Sequence, residues 1–188
     1  MRVLIAEDDP LTRSGLAELL AEEGYDVVEA EHGEEAVEKY HQFAPHFVCL
    51  DVMMPRMSGY EVCRSIRQVD AHVPVIFISA KSQEIDKVAG LELGADDFIV
   101  KPFGVREVLA RIRAVTRRCM AQQSSEQTLS FAMGDLLIHP AELRVARGDE
   151  SFDISLRDLQ ILRLLHDHEG QPVTRETIFE KCWGLKNV

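Results

Sequence analysis

The sequence predicts a doubly wound α/β domain with a parallel five-stranded sheet, followed by a smaller, partial α+β unit. Continuous apolar runs at Val3 to Ala6, Phe47 to Leu50, Val73 to Ile78 and Phe98 to Val100 suit parallel strands covered on both faces, which need no polar alternation. Segments of helical spacing separate these runs, so strand and helix alternate five times. Beyond Arg118 the alternation stops at the polar, Gln/Ser-rich stretch MAQQSSEQT, and short alternating stretches of a different kind begin near Leu129.

Each element has its own local signals. After the first strand, Asp9-Pro10 supplies an N-cap and an N1 proline, and Gly24 falls where a helix needs a left-handed residue past its end. Asp26 to Ala30 is a weaker strand, and Gly94 marks another helix end before Phe98. Val105, Val108, Leu109, Ile112 and Val115 form one apolar stripe on a helix expected over Val105 to Arg118. These signals divide the chain into a domain over 1–118, a linker over 119–128 and a second unit over 129–188. In that unit Leu143 with Val145 and Phe152 with Ile154, divided by His139-Pro140 and Gly148-Asp149, predict small antiparallel strands, and Arg147-Gly148-Asp149 is a hairpin turn. Ser155-Leu156-Arg157-Asp158 opens a capped helix with Leu159, Leu162 and Leu165 at core spacing, ending at Gly170, and a further helix spans Arg175 to Cys182. Trp183 to Val188 lead toward another element, so the second domain is expected to be incomplete within this chain.

The 188 residues carry 21 Lys and Arg against 32 Asp and Glu, a net charge of −11. That balance argues against a protein whose whole surface tracks nucleic acid. Residues 121–188 hold 7 basic and 11 acidic side chains, the wrong sign for a phosphate-binding surface. No run of 18 apolar residues and no basic-then-apolar leader occurs, so a soluble, cytoplasmic protein without membrane contact is expected. Cys49, Cys63, Cys119 and Cys182 form no CxxC pair and are expected as reduced thiols. The seven histidines form no HExxH, and no GxGxxG or GxxxxGK[ST] phosphate loop is present.

The chemistry lies at the strand ends. Glu7, Asp8 and Asp9 follow the first strand, while Asp51 ends the third, Ser79 ends the fourth and Lys101 ends the fifth. With strand order 2-1-3-4-5 these tips converge at the switch point of the sheet. Taken singly, Asp8 reads as a solvated loop residue and Lys101 as an exposed lysine. Taken together, the carboxylates repel one another unless a hard cation sits among them, and carboxylate and carbonyl oxygens suit Mg²⁺. A lysine and a hydroxyl facing that cation leave a place for a phosphoryl group. A phosphatase with two aspartates spaced by one residue is disfavoured, because Met53 stands where the second would be.

VLIAEDDP, CLDVMMPRMSGYEV, VIFISAK and GADDFIVKPF together resemble the flavodoxin-like receiver domain of bacterial two-component response regulators, over residues 1–118. The resemblance implies Asp51 as phosphoacceptor, with Asp8, Asp51 and the Met53 carbonyl as Mg²⁺ ligands and Glu7 as a ligand through water. It implies Lys101 and Ser79 as phosphoryl-stabilising groups, a cis Lys101-Pro102 bond, and Ser79 with Phe98 as the switch pair. Ser79 replaces the commoner threonine and Phe98 the commoner tyrosine, which affects the basal switching equilibrium rather than the chemistry. Such a protein is no enzyme beyond its own phosphorylation and dephosphorylation, and its phosphoryl donor is a sensor histidine kinase.

The second unit resembles the front of the winged-helix output domain of the OmpR/PhoB subfamily. By that resemblance Lys87, Val88, Leu91, Asp96, Asp97, Glu107, Ala110, Arg111 and Arg113 line a two-fold face of a phosphorylation-dependent homodimer, pairing Lys87 with Glu107 and Asp97 with Arg111. DNA recognition is expected only if the winged helix is completed beyond Val188. The alternative is a receiver that acts through protein contacts or as a phosphoryl sink.

Overall fold

The computed structural model describes residues 1–80, 90, 92–122 and 129–184. It separates into two compact units, Met1–Ala21 with Tyr25–Val115, and Thr116–Val188 with Glu22–Gly24.

The first unit is built on strands β1 (Arg2–Ala6), β2 (Asp26–Ala30), β3 (Phe47–Leu50), β4 (Val75–Ser79) and β5 (Asp97–Val100). All pair in parallel in the order β2-β1-β3-β4-β5. Every residue of β3 and β4 is buried, whereas β2, at one edge, is half exposed, which accounts for its weaker apolar signal. The fourth strand starts at Val75 rather than Val73. Asp70 Oδ1 captures the Val73 N–H at 2.9 Å, and Pro74 has no N–H to give the ladder.

Four helices are described beside this sheet: α1 (Pro10–Glu22), α2 (Gly33–Phe43), α3 (Gly59–Val69) and α4 (Val105–Gln122). Asp9 Oδ1 accepts the Thr12 N–H at 2.8 Å and so caps α1. Ser58 and Glu61 form a reciprocal capping box on α3. Val108, Ile112 and Val115 of α4 are wholly buried, as their stripe predicts. The helix continues past Arg118 to Gln122, because Met, Ala and Gln sustain a helix that no glycine or proline stops. Most of the helix expected to end at Gly94 falls outside the described residues, as do 123–128 of the expected linker.

In the second unit β6 (Phe131–Met133), β7 (Leu136–His139), β8 (Arg144–Arg147) and β9 (Glu150–Asp153) form an antiparallel meander. Gly148, at φ +58°, makes the expected hairpin turn. Helices α5 (Leu156–Asp167) and α6 (Arg175–Trp183) follow, the first opened by the expected capping box of Ser155 and Asp158. Phe131, Ile138 and Val145 lie opposite one another across the strands and are buried with Leu143, Leu156 and Leu159. Leu165 is not core as its spacing predicts. It stays exposed because the face of α5 that meets the sheet near its end is that of Arg163 and His166, which pack on Phe131 of β6. The arrangement is the α+β one expected of the second unit.

All four cysteines are buried and none forms a disulfide. No helix among the described residues is long and apolar enough to cross a membrane.

Candidate functional site

The sheet order places the ends of β1, β3, β4 and β5 side by side. Backbone bonds hold these ends in step. The Asp51 N–H donates to the Ala6 carbonyl at 2.8 Å, the Glu7 N–H to the Ala30 carbonyl at 3.1 Å, and the Lys101 N–H to the Ser79 carbonyl at 2.8 Å. Glu7, Asp51 and Lys101 are thus each one residue past a strand, where the ladder still fixes the backbone and the side chain can leave the sheet.

The Lys101 ammonium donates to Glu7 Oε2 at 2.5 Å and to Asp51 Oδ2 at 2.6 Å. Asp51 Oδ1 accepts the Met53 N–H at 2.9 Å. Both oxygens of the Asp51 carboxylate are therefore held, and that side chain is almost wholly buried. Burial raises the Glu7 carboxyl above its usual range, the Lys101 hydrogen bond opposes the rise, and the Asp51 charge adds to it. For Lys101, burial works against the ammonium, but its bonds to Asp51 and Glu7 prevail and hold its pKa above the ordinary value. One oxygen each from Glu7, Asp8 and Asp51 lie within 4.8 Å of one another. Three hard carboxylate oxygens at that spacing, two of them on buried side chains, fit a small divalent cation better than a soft one.

The loop that follows Asp51 is fixed by two close approaches. A Cβ on Gly59 would lie 2.1 Å from the Asp51 carbonyl oxygen, and one on Gly33 would lie 2.1 Å from the Met57 carbonyl oxygen. Only glycine allows helices α2 and α3 to start that near the loop. Within it Met53 leaves its side chain exposed while its N–H faces Asp51.

Ser79 is wholly buried at the end of β4, and Phe98 is buried in β5 with its ring 6.1 Å from that of Phe77. The Lys101-Pro102 peptide is cis. On the face formed by β5 and α4, Arg111 donates to both oxygens of Asp97, at 2.8 and 3.0 Å, and to Glu107, one turn earlier, at 3.0 Å. Asp97 and Arg111, expected to pair across a two-fold axis, thus pair within one protomer. Asp96 Oδ2 accepts the Val75 N–H at 2.9 Å. Ala110 is exposed on α4 and Arg113 half-buried, whereas Lys87, Val88 and Leu91 lie outside the described residues.

Sequence reasoning missed Arg13 and the pair His32 and Arg56. The Arg13 guanidinium donates to the Glu7 carbonyl at 2.8 Å. Arg56, with a left-handed backbone at φ +67°, brings its guanidinium 2.9 Å from His32 Nε2, and His32 Nδ1 caps α2. The signal for Arg13 was present: it is the one cation between Glu7 and Glu22.

Residues 3–113 match the response regulator receiver domain family. Over 98% of its length the chain is 35% identical to response regulator MprA of Mycolicibacterium vanbaalenii, covering 80% of that protein. Among solved structures, the receiver domain of Francisella response regulator 1452 is 30% identical with a TM-score of 0.60, covering 62% of this chain and 97% of that one. A chain of the CheX–CheY–BeF3–Mg²⁺ complex from Borrelia burgdorferi is 36% identical with a TM-score of 0.59, covering 61% and 88%. The activated receiver domain of RstA from Klebsiella pneumoniae is 30% identical with a TM-score of 0.58, covering 61% and 97%. The match over most of the first unit, together with a relative aligned across both units, makes this chain a member of the response regulator receiver domain family.

Proposed function

We propose that this protein is the phosphoacceptor of a two-component relay: Asp51 takes a phosphoryl group from a sensor histidine kinase in a Mg²⁺-dependent reaction. The observation that carries the reading is the Lys101 ammonium seated between the Asp51 and Glu7 carboxylates with Asp8 alongside. Glu7, through water, and Asp8, Asp51 and the Met53 carbonyl would hold Mg²⁺. Bound there, the cation supplies positive charge that offsets the anionic phosphoryl oxygens.

An Asp51 carboxylate oxygen attacks phosphorus. An O–P bond forms, the P–N bond of the phosphohistidine breaks, and its electron pair stays on the imidazole nitrogen. Lys101 exchanges its bond to the carboxylate for one to the phosphoryl oxygens as charge spreads over them in a loose, in-line transition state. The Ser79 hydroxyl moves toward the new oxygens, and Phe98 turns into the space it leaves. This local change biases a packing equilibrium on the face of β5 and α4, where Asp96, Asp97, Glu107, Ala110, Arg111 and Arg113, with Lys87, Val88 and Leu91, form the homodimer contact. Since Asp97 and Arg111 bond within one protomer, dimerisation requires them to be shared or exchanged between protomers.

The four-stranded sheet with α5 and α6, and the relative aligned across both units, support a transcriptional output of the winged-helix type. The test of the core proposal is intact mass after incubation with Mg²⁺ and a small phosphodonor. The chain gains one phosphoryl mass, and Asp51→Asn gains none; an equal gain in the variant overturns the assignment.

A further inference from the structure

Arg13 sits on the first turns of α1, largely buried, and reaches across the ends of two strands. Its guanidinium donates to the Glu7 carbonyl at 2.8 Å. The same group lies 3.5 Å from Glu29 Oε2 and 3.1 Å from Glu31 Oε1. The Glu7 N–H is already bonded to the Ala30 carbonyl, but β2 ends at Ala30 and the chain then turns toward α2. The Glu7 carbonyl therefore lacks a strand donor on that side, and Arg13 takes the place of one. A carbonyl at the margin of a buried sheet needs such a partner.

The consequence reaches the acidic site because the Glu7 carbonyl belongs to the peptide that leads into Asp8. Fixing that oxygen fixes the peptide plane, and the plane sets the direction in which Asp8 leaves the strand. Glu7 is anchored on its side chain by Lys101, whereas exposed Asp8 depends on its backbone for its aim. The carboxylates of Glu29 and Glu31 hold the guanidinium so that its N–H groups point at the Glu7 carbonyl. A charge-assisted bond from a planar, preoriented donor is stronger than a neutral one.

We infer that Arg13 is a positioning residue for the cation site: through the Glu7–Asp8 peptide it presents Asp8 to the divalent ion and so sets the site's affinity for Mg²⁺. The inference rests on the proposed reading of the Glu7, Asp8 and Asp51 cluster. Groups that orient metal ligands from outside typically contribute about 10–100-fold in affinity. Lysine at this position keeps the charge but offers no planar fork, so it recovers only part of the effect.

The experiment is calorimetric titration of the full chain with Mg²⁺, for wild type, Arg13→Ala, Arg13→Lys and Arg2→Ala. Arg2 is the control because it staples the opposite end of the same strands, bonding Asp26 at 2.7 Å and the Phe43 carbonyl at 2.9 Å. The expected result is a dissociation constant at least about tenfold higher for Arg13→Ala, an intermediate value for Arg13→Lys and a wild-type value for Arg2→Ala. Phosphorylation rates measured against Mg²⁺ concentration should show a higher half-saturation point for Arg13→Ala with the saturating rate retained. Unchanged affinity in Arg13→Ala overturns the inference, as does an equal loss in Arg2→Ala, which would mark general destabilisation. If wild type itself binds no Mg²⁺, the reading of the acidic cluster fails before Arg13 is tested.

Discussion

Asp70 shows how much one carboxylate does at the end of α3. Its Oδ1 accepts the N–H groups of His72 and Val73 at 2.8 and 2.9 Å, and its Oδ2 accepts the Tyr40 hydroxyl at 3.0 Å. Burial alone would raise its pKa, but the backbone donors, Tyr40 and Arg67 outweigh it and hold the carboxyl below its usual value. A lowered folded-state pKa means that the ionised form stabilises the fold above the unfolded value, about 4, and that this is lost as pH falls through the folded value. Asp70→Ala should therefore cost about 1–3 kcal/mol at pH 7 and progressively less as pH falls below the unfolded value of about 4, as read by urea denaturation along a pH series. Its partner Tyr40 is pushed up to about 12 by burial and by Asp70, so it remains a donor through this range. Gly59 sets a steric limit instead. A Cβ there meets the Asp51 carbonyl oxygen at 2.1 Å, so Gly59→Ala should destabilise by about 3 kcal/mol and slow phosphorylation, because relief must move Asp51 or α3.

At the scale of elements, helix starts and staples determine where the strand tips point. Ser58 begins α3 directly after the Asp51 loop, and its capping box with Glu61 satisfies two otherwise unpaired backbone donors. Ser58→Ala should lower stability by about 1 kcal/mol, seen as a lower denaturation midpoint with an unchanged slope. At the opposite end of the sheet Arg67 of α3 donates to the Val73 carbonyl at 2.7 Å and to the Gly94 carbonyl at 2.6 Å, tying the segments that enter β4 and β5. The pair Arg111 and Asp97 likewise joins α4 to β5, but it is partly exposed, and such pairs add at most about 1 kcal/mol. Arg111→Ala should thus leave monomer stability nearly unchanged. Under the proposed switch, it should abolish the phosphorylation-dependent gain in dimer measured by sedimentation.

Across the whole molecule the two units differ in how completely they bury apolar surface. The first encloses β1, β3 and β4 almost entirely, whereas the second leaves Phe152, Leu165 and Trp183 exposed. A unit of roughly this size buries too small a share of its surface to be more than marginal alone. Denaturation of the full chain should therefore show two transitions, with the less stable one abolished when residues 129–188 are removed. A single transition at every wavelength would show the two units unfolding together.

The sequence by itself determined the parallel sheet, its helices and the tips that carry Glu7, Asp8, Asp51, Ser79 and Lys101. Fully buried strands read as apolar runs, and a polar residue directly after such a run marks a strand end without knowledge of what lies beside it. The capping boxes at Ser155 and Asp158 and the turn at Gly148 were legible for the same reason: their causes lie within a few residues. The start of β4 was not, because it depends on Asp70 capturing an N–H that apolar periodicity assigns to the strand. Nor was the exposure of Leu165, which depends on which face of its helix the sheet takes, here that of Arg163 and His166 against Phe131. The bond of Lys101 to both Glu7 and Asp51, the pairing of Asp97 with Arg111 inside one protomer, and the reach of Arg13 to the Glu7 carbonyl were decided only by tertiary structure. Sequence spacing sets the direction of a side chain along its own element, but the partner it meets is fixed by which strands and helices fold beside it.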